Sequence, residues 1–523
     1  MRGGSGSAAV WEHPIKKPFL RIKMIFLGID SGTQSTKTVA VDGESGDLLA
    51  RAQAAYGLID GLPAGHLEQD PQDWDAAMDE TVGSCLEQLG ARREEVQAIG
   101  VSGQQHGLVV LDEAGAVIRP AKLWCDTSTA AQCKEYEAAF GGVEGLIRLA
   151  GNAILPGYTA PKILWLKQNE PEHFARVRSV LLPHDFLNFR LTGVQRMEYG
   201  DASGTGLLDV RRREWCGALL SFTDPRLPEL LPPLGDSRQA HGTLKPELAA
   251  RWGLRDDVLV SAGGGDNMMG AIGTGNVAPG VFTVSLGTSG TVYAAAGEPV
   301  IDPKGEVAAF CDCTGQWLPL VCTMNVTVLT EKVRALFDWD LDGFEAQAES
   351  ASPGAGGLLF LPYLNGERTP NLPESCAVLH GMRSDNLTPG NLARAALEGV
   401  TLGLAYGIQR FRDLGVSPSE IRLTGGGSNS RLWRQVAADA FGAETVCLRT
   451  AEGAALGAAL QAAACWSGGG SFDAKGMRDW TKRWVELDES TRCAPQGDRR
   501  DAYAELRSKQ MKLTSDLHAA HWI

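Results

Sequence analysis

A single carboxylate, Asp266, follows three consecutive glycines in the stretch SAGGGDNMMGAIG. Glycine loses more backbone entropy on folding than any other residue, so a run of glycines needs a reason. Either this segment is only a turn, or a bulky group must approach the backbone while the acid faces that group. In the second case the Asp266 carboxylate would face the bound group.

Two other segments have the composition of phosphate-binding turns. Residues 28–33 (GIDSGT) and residues 285–290 (SLGTSG) each continue an apolar run, and each offers glycine, backbone N–H groups and hydroxyls. Such a turn can form a concave nest for phosphate oxygens. Most Gly-Thr turns are only turns. Two of them at matched points of the chain favour a site that grips a polyphosphate from both sides.

Asp30 ends the first of these apolar runs. A carboxylate at this point would repel phosphate unless a divalent cation lay between them. Mg²⁺ prefers carboxylate, water and phosphate oxygens as ligands, so Asp30 is a candidate Mg²⁺ ligand. The alternative is an aspartate that caps its own turn.

A third glycine-rich segment, GGGSNS at residues 425–430, follows a predicted strand and precedes a predicted helix. Its glycines could let a flat ring lie against backbone, with Asn429 available for polar contact. The segment is not a GxGxxG fingerprint, and the chain has no GxxxxGK[ST] motif. Both observations disfavour a dinucleotide enzyme and a Walker-type NTPase.

The elements that must position these residues occur in the same order in both halves of the chain. The first half predicts a strand meander over MIFLGID, TKTVAVD and DLLARAQAA, a helix after Asp70 and Pro71, and the strand VQAIGVSG before QQHG. The second half predicts a hairpin over GVFTVSLGTSGTVYAAAG, then a long helix, the strand IRLT and the glycine loop. We expect two copies of one α/β plan, with a seam near residue 276 and a ligand cleft between them.

Bulk composition excludes several classes of function. The net charge of -14 leaves no basic surplus for nucleic-acid phosphates. The sequence contains no run of 18 apolar residues, so it predicts no membrane helix. The 11 cysteines are scattered, and Cys311 and Cys313 lack further zinc ligands nearby, so we expect reduced thiols in the cytoplasm. Residues 1–23 are typical of a tag-like extension rather than a secretory signal.

Taken together, these motifs resemble the FGGY family of carbohydrate kinases, which share ribonuclease H-like domains with actin and chaperone ATPases. GYTAPKILWLKQN (157–169) is similar to the first signature of the family, and LTGGGSNSRLWRQVAAD (423–439) is similar to the second. GIDSGTQSTK, SGQQHG, LWCD, AGGGDN, SLGTSG and FLPYLNGERTP resemble the members that act on xylulose. The resemblance covers about residues 24 to 515.

The resemblance implies an α/β fold of two ribonuclease H-like domains of the actin and hexokinase type, with a cleft between them. The N-terminal domain, 24–276, would carry the sugar site and the first phosphate motif. The C-terminal domain, 277–523, would bind nucleotide and end in a helix over 499–520. The implied reaction is ATP-dependent phosphorylation of D-xylulose to D-xylulose 5-phosphate, with Asp266 as general base and Mg-ATP as phosphoryl donor.

The resemblance also assigns the remaining site residues. The implied sugar contacts are Gln105, His106, Trp124, Asp126 and Asn267. The implied nucleotide contacts are Asp30, Gly32, Thr33, Gln34, Ser35, Gly287, Thr288, Ser289, Gly425, Gly426 and Asn429, with Asp30 also at the metal. His106 ends a strand in a polar cluster, which favours hydrogen bonds to sugar hydroxyls over metal binding.

Several alternatives stay open at this point. Some relatives carry Met where Gln105 stands, and others carry Asn where Cys125 stands, so the sugar contacts are not fixed. A kinase for ribulose or gluconate is the first alternative, with glycerol less favoured; an actin-like or chaperone ATPase and a silent sugar sensor are others. Glu367 and Arg368 either form an ion pair or line the cleft. A homodimer is compatible with the sequence, which does not determine the oligomeric state.

Overall fold

The computed structural model describes residues 23–450 and 452–523 of the chain. Apart from Lys23, the extension predicted over residues 1–23 lies outside the described residues. Among the residues that are described, no helix is both long enough and apolar enough to cross a membrane.

The first half of the chain alternates strands with helices. Its strands are β1 (Ile25–Ser31), β2 (Ser35–Asp42), β3 (Leu48–Ala55), β4 (Glu68–Gln69), β5 (Val96–Gly103), β6 (Val109–Leu111), β7 (Ala121–Lys122), β8 (Ser179–Leu181), β9 (Met197–Glu198), β10 (Leu208–Asp209), β11 (Glu214–Trp215), β12 (Leu234–Gly235), β13 (Ala240–Thr243), β14 (Leu259–Ser261) and β15 (Gly264–Gly265). Its helices are α1 (Pro71–Leu89), α2 (Ala130–Phe140), α3 (Gly142–Ala150), α4 (Thr159–Asn169), α5 (Pro171–Arg176), α6 (Pro183–Thr192), α7 (Tyr199–Ala202), α8 (Gly217–Thr223), α9 (Leu227–Leu230), α10 (Pro246–Trp252) and α11 (Asp266–Gly273).

The second half has fewer strands and longer helices. Its strands are β16 (Val281–Leu286), β17 (Gly290–Ala294), β18 (Leu320–Thr323), β19 (Leu359–Leu361), β20 (Val378–His380), β21 (Glu420–Thr424), β22 (Glu444–Leu448) and β23 (Leu487–Cys493). Its helices are α12 (Thr327–Leu336), α13 (Leu341–Ser350), α14 (Pro389–Asp413), α15 (Arg431–Phe441), α16 (Gly453–Ser467), α17 (Ala474–Trp484) and α18 (Gly497–Ala519).

The principal sheets of the two halves have the same strand order and the same strand directions. The first runs β13-β14-β5-β1-β2-β3, and the second runs β23-β22-β21-β16-β17-β18. β1 is antiparallel to β2 and parallel to β5, as β16 is antiparallel to β17 and parallel to β21. The outer strands β13 and β23 are each antiparallel to their neighbours. The predicted duplication of one α/β plan is therefore confirmed.

Alternation along β1 explains why helices cover both faces of the first sheet. Ile25, Leu27 and Ile29 are buried in one cluster with Trp74 of α1, whereas Phe26 is buried in another cluster with residues of α16 and α17. Successive side chains of a strand point to opposite faces, so each face has its own apolar core. The predicted helix after Asp70 is α1, and the Asp70 carboxylate caps it by accepting the N–H of Gln72.

Helix α16 belongs to the second half of the chain but packs on the sheet of the first half. It contacts β1, β5 and α11. A Cβ on Gly28 would overlap the carbonyl oxygen of Ala455, and a Cβ on Gly100 would overlap that of Ala458. The two halves therefore share an interface at residues 453–467, and the limits 24–276 and 277–523 stay a prediction.

Candidate active site

A cavity of about 250 Å³ lies between the two halves. Gln105, His106, Trp124, Asp266 and Asn267 line it from the first half. Ser289 and Arg368 line it from the second half. The structure thus brings together all the predicted sugar contacts except Asp126, and one of the predicted nucleotide contacts.

Asp266 is the first residue of α11 and is held by its neighbour Asn267. The carboxylate oxygen Oδ1 of Asp266 accepts hydrogen bonds from the backbone N–H of Asn267 at 2.8 Å and from its side-chain Nδ2 at 3.0 Å. Burial in the cavity wall and the negative charges of Asp30 and Asp201 together raise the pKa of Asp266 to about 7, against the lowering effect of those two hydrogen bonds. A carboxylate with this pKa suits a general base at neutral pH.

The glycines before Asp266 are required by packing within the protein. A Cβ on Gly265 would lie 2.6 Å from Cγ of Gln105, and one on Gly263 would lie 2.5 Å from the carbonyl oxygen of Val101. Gly263 also has a φ of +72°, which L side chains rarely adopt. The run of glycines therefore lets this segment lie directly against β5, and the approach of a ligand to this backbone stays a prediction.

Gln105 and His106 follow β5, where the chain turns sharply. His106 has a φ of +65°. Its carbonyl oxygen accepts from the Lys162 ammonium at 2.8 Å and from the Thr159 hydroxyl at 3.1 Å, so α4 holds this turn. Burial, with the Lys162 and Arg368 charges, keeps the pKa of His106 well below its usual value. A neutral imidazole beside the cavity suits hydrogen bonding.

Trp124 connects the cavity to the turn after β1. Its indole Nε1 donates to the Thr33 hydroxyl oxygen at 2.9 Å, and that hydroxyl donates to Gln104 Oε1 at 3.3 Å. The Thr33 side chain is therefore engaged within the protein, so a phosphate contact from this residue would fall to its backbone. Because its N–H is used on Thr33, Trp124 offers the cavity its ring rather than a hydrogen-bond donor.

Asp126 does not line the cavity, although the sequence placed it in the sugar pocket. Its carboxylate accepts from the Lys122 ammonium at 3.2 Å, the Leu67 N–H at 2.9 Å and the Ser128 hydroxyl at 2.6 Å. His66, Glu68 and Asp126 have the proximity of metal ligands, but the Lys122 ammonium contacts all three. The Lys122 cation takes the place that a metal ion would need.

Asp30 and the turn that follows it lie close to Asp266. One carboxylate oxygen of Asp30 accepts the Ser102 hydroxyl at 2.8 Å. Burial raises the pKa of Asp30, against the Ser102 hydrogen bond and the charge of Lys37, which is itself paired with Glu452 at 2.7 Å. The rest of the turn is fixed by the hydroxyl of Tyr56, which donates to Gly32 O at 2.7 Å, and by the Gln53 amide, which donates to Ser35 Oγ at 2.9 Å. The Gln34 side chain is exposed.

The turn at residues 285–290 and the glycine-rich segment at residues 425–430 lie against each other. A Cβ on Gly425 would lie 3.0 Å from the backbone nitrogen of Gly287, while Gly426, Asn429 and Thr288 are exposed. Gly287 O and Thr288 O accept the N–H groups of Thr327 and Val326, which fixes the turn on the start of α12. Gly425 therefore lies beside Gly287, and Ser289 of the same turn lines the cavity.

Glu367 and Arg368 do not pair with each other through their side chains. The Glu367 carboxylate is buried and accepts the backbone N–H groups of Met324 and Arg368 and the amide of Asn325. The Arg368 guanidinium lies in the cavity wall. The sequence left the role of these residues open, and only the GERTP motif indicated that they mattered.

Comparison with known proteins agrees with this geometry. Residues 25–273 match the FGGY family of carbohydrate kinases, N-terminal domain, and residues 282–466 match its C-terminal domain. The chain is 40% identical to a xylulose kinase of Haemophilus influenzae, over 94% of this chain and 100% of that protein. It is 39% identical to a xylulose kinase of Streptomyces rubiginosus, over 85% of this chain and 88% of that one.

A solved structure supports the same assignment. The crystal structure of xylulose kinase from Bifidobacterium adolescentis matches with a TM-score of 0.78 and 31% identity, over 93% of this chain and all of that one. The predicted two-domain fold and the predicted carbohydrate kinase activity are confirmed. This chain belongs to the FGGY family of carbohydrate kinases.

Proposed function

We propose that this chain transfers the terminal phosphoryl group of ATP to the 5-hydroxyl of D-xylulose, with Asp266 as the general base. The observation that carries this proposal is the Asp266 carboxylate, set in a cavity between the halves with a pKa raised to about 7. The choice of D-xylulose comes from the relatives at 39% and 40% identity, which are xylulose kinases.

Asp266 would accept the proton of the sugar hydroxyl as its oxygen attacks phosphorus. Phosphoryl transfer needs little covalent chemistry from a protein, and mainly positioning and charge neutralisation. Gln105, His106 and Asn267 lie around the same cavity and offer both donors and acceptors to the other sugar hydroxyls. These polar groups would orient the sugar, so that one hydroxyl faces the base.

ATP would lie on the surface formed by the turn at Gly287 and Thr288 and by the segment from Gly425 to Asn429. Both parts present glycine backbone, which a phosphate or a flat ring can approach closely. Ser289 connects this surface to the cavity that contains Asp266. The terminal phosphate of a nucleotide bound here could therefore reach the sugar.

Asp30 would hold the Mg²⁺ ion that accompanies ATP. The fit is good, since Asp30 is a largely buried carboxylate with one hydroxyl partner and no ion pair of its own among the described residues. A divalent cation prefers such an oxygen ligand. Bound Mg²⁺ would neutralise charge on the phosphate oxygens during transfer.

The test is a coupled assay of ADP formation with Mg-ATP and a panel of D-xylulose, D-ribulose, D-gluconate and glycerol. The proposal expects the highest kcat/KM with D-xylulose, and phosphorus NMR of the product should place the phosphate on the 5-oxygen. A higher kcat/KM with any other substrate would refute the choice of sugar. ATP turnover that is independent of sugar, with sedimentable polymer, would instead support a filament ATPase.

A further inference from the structure

Arg368 is an unpaired cation in the wall of the cavity. It is the only lysine or arginine among the described residues that line this cavity. No described carboxylate oxygen lies within 4.0 Å of its guanidinium nitrogens. Its side-chain contacts are a 3.4 Å hydrogen bond to Trp124 O and a 3.9 Å contact to Cys322 Sγ.

The position of Arg368 is fixed from behind by its neighbour Glu367. The Glu367 carboxylate accepts the Arg368 backbone N–H at 2.8 Å and the Met324 N–H at 2.6 Å, which ties the loop to the end of β18. The guanidinium carbon of Arg368 lies 5.5 Å from the centre of the Trp124 ring, across the cleft. Arg368 therefore reaches from the second half onto the sugar-lining residues of the first half.

Arg368 and Asp266 both line the cavity, and the charges of both act on Cys322, which lines it as well. Burial raises the pKa of the Cys322 thiol, and the charges of Arg368 and Asp266 act on it in opposite directions. Arg368 and Asp266 do not form an ion pair. A substrate whose hydroxyl contacts Asp266 can therefore extend toward Arg368 with another oxygen.

The groups around Arg368 favour an oxygen that only accepts hydrogen bonds. A guanidinium offers five donors and no acceptor. Trp124 O and Cys322 Sγ, the acceptors beside it, already receive hydrogen bonds from Arg368, and the Trp124 N–H is used on Thr33. A carbonyl oxygen placed here needs no partner other than the guanidinium, whereas a hydroxyl also brings a proton, which must find an acceptor other than these two engaged atoms.

The surrounding charges favour a neutral carbonyl over a carboxylate. Asp266 already lies in the field of Asp30 and Asp201, whereas Glu306, which lines the same cavity, is paired with Arg410 at 2.9 Å. A sugar acid would add another anion to this acidic region, at a cost in repulsion. A ketose brings the accepting oxygen without that charge.

Resting on the proposed function, we propose that Arg368 binds the carbonyl oxygen of a ketose substrate, at the end of the sugar remote from Asp266, and so selects ketoses over polyols. Removing a hydrogen bond to a charged group costs about 1.5–3 kcal/mol, which corresponds to a loss of about 10- to 150-fold. That loss should fall on ketoses and spare polyols.

The test compares the parent enzyme with Arg368→Met and Arg368→Lys, using D-xylulose and its two reduction products, xylitol and D-arabinitol. We expect Arg368→Met to lower kcat/KM for the ketose by about 10- to 150-fold and for the pentitols by less than about 3-fold. Arg368→Lys keeps the charge but loses the fork of donors, so the ketose should suffer an intermediate loss. The KM for ATP and the circular dichroism spectrum check that each variant is folded.

Arg483→Met serves as the matched control, since Arg483 is exposed and its guanidinium carbon lies 4.7 Å from the centre of the Trp480 ring. It should leave the ketose-to-pentitol ratio unchanged.

Equal losses on ketose and pentitols in both variants, or no loss, would overturn the inference. A parent enzyme that does not prefer ketoses to pentitols would also overturn it. The same holds for a parent enzyme that prefers D-gluconate, if Arg368→Met loses its activity on D-gluconate. If D-ribulose gives the highest kcat/KM, the proposed choice of D-xylulose is wrong. The role of Arg368 is then tested by the ratio of kcat/KM for D-ribulose to kcat/KM for its pentitols.

Discussion

The side-chain amide of Asn267 joins Gln105 to Asp266. Its Nδ2 donates to Gln105 Oε1 at 2.8 Å and to Asp266 Oδ1 at 3.0 Å. The loop that follows β5 and the start of α11 are thereby connected through one amide. This connection also stabilises the ionised form of Asp266, because hydrogen bonds to a carboxylate lower its pKa.

Replacing Asn267 should therefore shift the pH dependence of the reaction. In the parent enzyme, kcat/KM should fall as the pH drops below about 7, because Asp266 must be ionised to accept a proton. Asn267→Ala removes the side-chain donor, so the pKa of Asp266 rises and the fall begins at a higher pH. The measurement is kcat/KM for D-xylulose from pH 5.5 to 9. An inflection that stays in place or moves to lower pH would contradict this role.

The same carboxylate should cost stability when it is ionised. Its pKa in the folded protein, about 7, lies above the usual value of 3.8. The folded state therefore binds more protons, and this contribution to stability is lost as pH rises from about 4 to about 7. Asp266→Asn has no such titration, so its Tm relative to the parent should rise between pH 5 and pH 8. Calorimetry at both values checks the sign, and a smaller difference at pH 8 would refute it.

The close approach of α16 to β5 should make Gly100 intolerant of a methyl group. Gly100→Ala would place a Cβ on the carbonyl oxygen of Ala458 and should cost about 1–3 kcal/mol in the free energy of unfolding. Gly83→Ala in α1 is the matched control, because a Cβ there has no neighbour within 4 Å and a helical alanine gains about 0.5–1 kcal/mol. Thermal unfolding of both variants should give shifts of opposite sign, and equal shifts would argue against the packing account.

Asp126 should matter for stability rather than for sugar binding. Asp126→Asn leaves the buried Lys122 ammonium with Glu68 as its remaining carboxylate, and weakening a hydrogen bond between charged groups costs up to about 1.5–3 kcal/mol. The variant should show a lowered Tm, with the KM for D-xylulose changed by less than about 3-fold, since Asp126 does not line the cavity. A tenfold higher KM at an unchanged Tm would restore the predicted sugar contact.

Much of the fold followed from the sequence because its signals are local. The segment VQAIGVSG was predicted as a strand and is β5, and Asp70 with Pro71 predicted the start of α1. The packing of α16 on the first sheet was not predicted, since it depends on glycines of two strands that only the tertiary structure brings beneath that helix. The small residues of α16 permit close packing but do not determine its partner.

The candidate site was predictable to a similar extent. Asp266, Asn267, Gln105, His106 and Trp124 do meet in one cavity. Asp126 was misplaced because its position two residues after Trp124 carries no information about the direction of its side chain. The ion pair with Lys122 fixes that direction. Arg368 could not be assigned, because only the structure shows that Glu367 bonds to backbone N–H groups and leaves the guanidinium unpaired.

In the proposed reaction, Asp266 removes the proton from the sugar hydroxyl. The direct measurement is the single-turnover rate of D-xylulose phosphorylation by Asp266→Asn and by the parent, at saturating Mg-ATP and pH 8. The account predicts a rate lower by about 10²–10⁴-fold in the variant, with the fold retained and with little dependence on pH. A variant rate within a few-fold of the parent would contradict it.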